Sequence, residues 1–174
     1  MITGGSRTRL AVAGAVLTVL GAVGLLLPPA SLAGTRVTKL ASAGGTQIPC
    51  EHGANGFVDI PDTLQGRIET GAQADHWGSG VWPPPGVGLD LEAGSVRGRM
   101  SGWAHLYGAT HAGDLVWMDW SQDSGNNWGQ CGPFRIDFDG QSKTTASKVT
   151  SPSPSYRFRV GGVVNGDLFI GPWW

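Results

Sequence analysis

The chain has 174 residues, with 12 basic and 13 acidic side chains for a formal net charge of −1, and it carries 29 glycines, 11 prolines, eight tryptophans and two cysteines. Charged residues make up only 14% of it, too few and too balanced for the counterion-releasing basic surface that nucleic-acid binding requires, so nucleic acid is excluded as a partner. Two cysteines far apart in sequence likewise exclude a cysteine-rich zinc module.

Residues 1–33 read as a secretory signal peptide. Arg7 and Arg9 give a positive start, Leu10 to Leu27 is uncharged, and "PPASLA" ends in small residues at Ser31 and Ala33, the three parts of an export signal cut between Ala33 and Gly34. An uncleaved anchor is the alternative, since about eighteen apolar residues is the lower limit for a span. Gly14, Thr18, Gly21 and Gly24 dilute the run, and Pro28 and Pro29 close it, which favours cleavage and leaves no membrane segment afterwards. The mature chain, residues 34–174, then carries 10 basic against 13 acidic residues, a net charge of −3.

Residues 34–48 are small and polar and read as a flexible lead-in; residues 49–174 read as one domain. Cys50 and Cys131 are an even pair in a chain bound for an oxidising compartment, which predicts a disulfide. A Cys/His metal site lacks the ligand spacing, because nothing near Cys131 completes a set begun by Cys50 and His52.

No window keeps an apolar stripe at helical spacing, while alternation at period two recurs. "GFVDI" gives a first strand at Phe57 and Val58, stopped by Pro61, and "QGRIETG" a weaker one at Arg67–Thr70. "VGLDLEAG" sets Leu89 and Leu91 against Asp90 and Glu92, an apolar and a wet face. "SVRGRMSGWAHLYGATH" reads as one or two strands with Val96, Met100, Trp103 and Tyr107 inward. "DLVWMDW" is apolar on both faces and belongs in the middle of a sheet. "PFRIDFDG" alternates Phe134, Ile136 and Phe138 against Arg135, Asp137 and Asp139, and "YRFRV" places Tyr156, Phe158 and Val160 inside. "VVNGDLFI" carries Asn165–Gly166 between apolar runs, a strong hairpin signal. The fold class is therefore all-β: a single antiparallel β-sandwich or partly open barrel.

Two long connections interrupt the strands. Gly71–Gly88 contains His76, Trp77, Trp82 and three prolines and cannot be a central strand. Gly140–Ser155 is a polar connection in which "TTASKVT" is readable as an edge strand.

Within "DWSQDSGNNWGQCG", Ser121, Asp123, Gly125 and Trp128 spell S-x-D-x-G-x-x-W. The aspartate accepts backbone amides ahead of it, the glycine supplies positive φ, the serine hydroxyl satisfies a second backbone group, and the tryptophan lies over the turn as a lid. The motif resembles the Asp-box hairpin of sialidases and other secreted proteins. In those families it sits away from the catalytic centre, which implies a structural turn here; a single copy in a short chain carries over no sialidase activity. A calcium loop through Asp119, Ser121 and Asp123 fails, because the glycine comes one place late and Gln130 stands where a glutamate is needed. The mature chain as a whole resembles small secreted proteins of high-G+C Gram-positive bacteria that pair this hairpin with "CGPF" and a terminal double tryptophan, a resemblance that implies export and supplies no catalytic residues.

The sequence offers no recognisable catalytic motif. Asp90 with Glu92, and Asp137 with Asp139, are acids on single strand faces rather than pairs across a cleft, and His105 reads as a strand residue with a satisfied hydrogen bond. No catalytic residue, metal or cofactor is expected. Trp77 and Trp82, with His76 beside them, are instead candidate contacts for an extracellular glycan or protein, since aromatic platforms in a loop suit stacking. The terminal Trp173 and Trp174 read as a seal on an open end of the sandwich. The functional expectation is an extracellular binding module, with a small secreted inhibitor or effector, and then a hydrolase, as alternatives.

Overall fold

The computed structural model describes residues 45–71 and 83–174. The expected signal peptide and His76, Trp77 and Trp82 lie outside the described residues. Among the described residues there are eleven strands: β1 (Thr46–Gln47), β2 (Phe57–Val58), β3 (Arg67–Gly71), β4 (Val87–Val96), β5 (Arg99–Gly108), β6 (Leu115–Ser121), β7 (Gly129–Arg135), β8 (Lys143–Thr144), β9 (Ser147–Val149), β10 (Arg157–Val164) and β11 (Asp167–Ile170). Among the described residues, no helix is long and apolar enough to cross a membrane.

The strands form two sheets, ordered β1-β7-β6-β10-β11 and β2-β9-β5-β4-β3, with β8 also on β5. Every pairing is antiparallel except β1 with β7. The sheets pack face to face as a β-sandwich. Leu89, Leu91, Ala104 and Leu106 of the second sheet meet Val116, Met118, Val160 and Val164 of the first in one buried cluster, the arrangement that sheets with one apolar face adopt to remove it from water. Cys50, in the connection from β1 of one sheet to β2 of the other, is bonded to Cys131 on β7 with a Cα separation of 5.5 Å, so the disulfide ties that connection to β7.

β6 is the middle strand of its sheet and is buried on both faces, as its unbroken apolar run requires. Its outward Trp117 joins Leu115 and Val163 in a second, smaller apolar cluster. Trp117 stands opposite Gly161, where a Cβ would overlap the indole. Tyr107 covers Gly88 in the same way. Large rings lying over strand glycines explain how a glycine-rich chain still builds packed sheets.

Two hairpins turn on residue pairs with positive φ: Asn165–Gly166 (52° and 86°) between β10 and β11, and Arg97–Gly98 (51° and 76°) between β4 and β5. The second corrects the expected inward set. With Arg97–Gly98 as the turn, Leu91 pairs with Ala104 and Leu89 with Leu106, so those four face the core. Trp103, His105 and Tyr107 fall on the other face, and Met100 is exposed. A slip of one residue reverses every side chain of a strand.

Further expectations are corrected. The strand placed on "PFRIDFDG" lies earlier, as Gly129–Arg135; after it the chain turns, Phe138 is 62% exposed, and Asp139 accepts the Ala112 amide at 2.9 Å. The polar connection 140–155 is bound to the second sheet through β8 and β9, and β9 lies between β2 and β5 rather than at an edge. Asp90 and Glu92 do not form a wet face: both are buried, at 1% and 3% exposure. The stretch expected as lead-in holds β1, whose Ile48 amide donates to the Gln130 carbonyl at 3.0 Å.

Candidate functional site

The turn between β6 and β7 is held by its own side chains. Ser121 Oγ accepts the amides of Gly125 (2.9 Å) and Asp123 (3.2 Å) and donates to Asp123 Oδ1 at 2.8 Å. Asp123 Oδ1 also accepts the Asn127 amide at 2.8 Å, and its Oδ2 accepts Asn127 Nδ2 at 2.6 Å. Hydrogen bonds from the Asn127 side chain and backbone, with a further one from Ser121, hold the Asp123 carboxyl down at about 2, so it stays ionised. Gly125 has φ 90°. The ring nearest this glycine is that of Trp173; Trp128 meets Trp173 edge-on at 5.9 Å.

Beside this turn lies a groove of about 360 Å³, lined by Thr46, Ile48, Trp120, Gln122, Asp123, Asn127, Trp128 and Gly129. Trp120 and Trp128 are half-buried and Gln122 is exposed. Trp120 is fixed from behind by edge-on contacts with Phe57 (6.1 Å) and Tyr156 (5.8 Å) and by Lys148 Nζ over its ring at 4.4 Å. Burial lowers the Lys148 ammonium below its ordinary range. Trp128 is fixed by Arg159, whose guanidinium lies 4.9 Å from its ring and 4.3 Å from that of Trp173, a cation between two π faces. Arg159 is in turn held by Asp119, whose Oδ2 accepts Nε at 3.0 Å and an Nη at 2.7 Å. Burial pushes the Asp119 carboxyl up to about 6, against the opposing pull of Arg159.

The groove therefore has two rigid aromatic walls with amide and hydroxyl groups between them. Among the described residues, Asp123 is the only ionisable one lining it, and its oxygens are engaged by the turn. The described residues lining this groove hold no paired acid and base of the kind that hydrolysis by two carboxylates demands.

A second polar constellation lies on the outward face of β4 and β5. Glu92 Oε2 accepts the Gly66 amide (2.8 Å) and Trp103 Nε1 (3.1 Å), and Oε1 meets His105 Nδ1 at 2.8 Å. His105 Nε2 meets Ser142 Oγ at 2.6 Å, and Ser142 Oγ lies 2.8 Å from the Asp62 carbonyl. Next to it, Tyr107 donates to Asp90 Oδ2 at 2.7 Å, and its ring centroid is 4.7 Å from that of His105. Burial, with Asp90 beside it, raises the Tyr107 hydroxyl well above its usual range. Gln65, Gly66, Ile68, Glu92, His105 and Tyr107 line a cavity of about 190 Å³.

Sequence reasoning placed Asp90 and Glu92 in solvent and did not connect either with His105. The usable signal was the Arg97–Gly98 pair: as a two-residue turn it sets Glu92 opposite Trp103 and Asp90 opposite His105, so the glutamate and histidine become diagonal neighbours on one face. Ser142 and Asp62 come from distant loops, and no local pattern announces them. Trp173 and Trp174 separate: Trp174 stacks on Phe158 at 6.1 Å and exchanges two backbone hydrogen bonds with it, while Trp173 closes over Arg159. Among the described residues, no group of three or more His, Cys, Asp or Glu is placed to hold a metal ion. Compared with protein-family models, with curated proteins and with solved structures, the chain has no match.

Proposed function

We propose that this chain is an extracellular binding module and that the groove between Trp120 and Trp128 takes an uncharged sugar ring of a glycan. The carrying observation is the composition of that groove: two braced indole faces, the Gln122 and Asn127 amides and the Thr46 hydroxyl, with one carboxylate already committed to the turn. Apolar C–H faces of a sugar stack on such walls and its hydroxyls pair with planar amides. The export signal read at residues 1–33 and the Cys50–Cys131 disulfide support an oxidising compartment outside the cell. The likeness of Ser121–Trp128 to the Asp-box agrees with a turn that shapes the site without acting in it.

The test is calorimetric titration of the purified chain with a panel of soluble neutral oligosaccharides. Trp128→Ala and the gentler Gln122→Ala each weaken binding, the tryptophan change by roughly 10- to 100-fold, with the thermal transition retained. Parallel Trp77→Ala and Trp82→Ala variants separate the two candidate surfaces. Loss confined to those two moves the site to the loop between β3 and β4, and binding of a protein but no glycan replaces the sugar with a protein partner.

A further inference from the structure

We propose that Ser142, His105 and Glu92 form an acyl-transfer centre in which Ser142 Oγ is a nucleophile toward esters. It shares no residue with the groove and does not depend on the glycan reading.

The argument starts from the glutamate. Its Oε2 accepts two N–H donors, Gly66 N and Trp103 Nε1, which orient the carboxylate and leave Oε1 facing His105 Nδ1 at 2.8 Å. An ionised carboxylate only accepts, so Nδ1 carries the proton that points at it. In the neutral imidazole that assignment leaves Nε2 with its lone pair directed at Ser142 Oγ, 2.6 Å away. The hydroxyl has two acceptors within reach, Nε2 and the Asp62 carbonyl at 2.8 Å, and its single proton can be drawn to the nearer one. A serine touching an imidazole whose far nitrogen is fixed by a buried carboxylate is the arrangement that activates a hydroxyl for attack. Burial of Glu92 and His105 at 3% and 2% exposure strengthens the coupling, whereas Ser142 is only half-buried and keeps some access to solvent.

His105 also faces the cavity of about 190 Å³ that it lines with Gln65, Ile68 and Tyr107. Ser142 is not among the residues lining that space, and an ester reaches Oγ from the side of the half-buried serine that is open to solvent. The chemistry balances without any other group. As Oγ adds to the ester carbonyl carbon, its proton passes to Nε2 and the carbonyl π pair moves to oxygen. When the carbonyl re-forms, the alkoxide leaves with the proton from Nε2, and water reverses the sequence to release the acid and restore the serine.

The experiment is labelling of the purified chain with a fluorophosphonate, with the modified peptide located by mass spectrometry. Ser142 is modified in the native protein, is not modified in urea, and the label is absent from Ser142→Ala. Glu92→Gln is the discriminating variant. Its carbonyl oxygen replaces Oε2 toward Gly66 and Trp103, and its amide donates to Nδ1, so the histidine must carry its proton on Nε2 and donate to Ser142, which still donates to Asp62. Every hydrogen bond survives and the base is lost, so the protein remains folded while labelling slows on the order of 10³- to 10⁴-fold. No label on the native chain, label spread over several serines, equal labelling in urea, or a folded Glu92→Gln protein that labels like wild type each overturns the proposal.

Discussion

Replacing Glu92 by leucine is the sharpest test of the second sheet's outward face. As a wet-face residue Glu92 would tolerate leucine within about 0.5 kcal/mol. In the structure its carboxylate is the acceptor for Gly66 N, Trp103 Nε1 and His105 Nδ1. The half-buried Gly66 amide can turn to water and His105 can shift its proton to Nε2, but the Trp103 indole N–H is sealed in and loses its only partner shown. At roughly 1–3 kcal/mol for a buried orphaned donor, with partial losses at the other two, Glu92→Leu destabilises by about 3–4 kcal/mol. Glu92→Gln keeps the network and costs about 1 kcal/mol or less. In urea unfolding with a slope of about 1.5 kcal/mol/M, the leucine variant lowers the midpoint by about 2–2.7 M at unchanged slope. A leucine variant indistinguishable from wild type, or a glutamine variant as damaged as the leucine one, refutes the reasoning.

Other predictions follow from single features. Removing the disulfide by Cys50→Ala with Cys131→Ala opens a loop of 81 residues' separation, for which chain entropy gives roughly 4–5 kcal/mol; urea midpoints should fall accordingly, and a reductant should reproduce the loss in wild type but not in the double variant. Asp119 has its carboxyl raised to about 6 from an ordinary 3.8, so the folded state binds its proton more tightly than the unfolded state does. Its contribution is full below about 4 and is lost as pH rises through 6, a swing of roughly 3 kcal/mol by linkage. Wild-type stability measured against Asp119→Asn should therefore diverge between pH 4 and 7, and parallel curves would contradict the burial argument. Gly161→Ala forces the Trp117 indole off its seat and should cost about 1–3 kcal/mol, with a shift in tryptophan emission; an unshifted spectrum at full stability would show that the ring is not seated there.

What the sequence determined by itself is what short-range chemistry decides. Period-two alternation and frequent glycine and proline gave an all-β chain; "DLVWMDW", apolar on both faces, had to be a central strand; Asn165–Gly166 had to turn; an even pair of cysteines, read with the export signal expected at residues 1–33, pointed to a disulfide. The hydrogen bonds of Ser121 and Asp123 were legible too, since all are made within a few residues. Tertiary structure decided everything that depends on which face meets which. The parity of β5, set by the Arg97–Gly98 turn, moved Trp103 and Tyr107 off the core to the face that carries His105 and buried Glu92 among them. Ser142 and Asp62 reached His105 only when the segment after β7 and the loop before β3 settled on the same sheet. Alternation reveals that a strand has two faces; whether the polar one meets water or another loop is settled by chain segments far away in sequence, which no local pattern encodes.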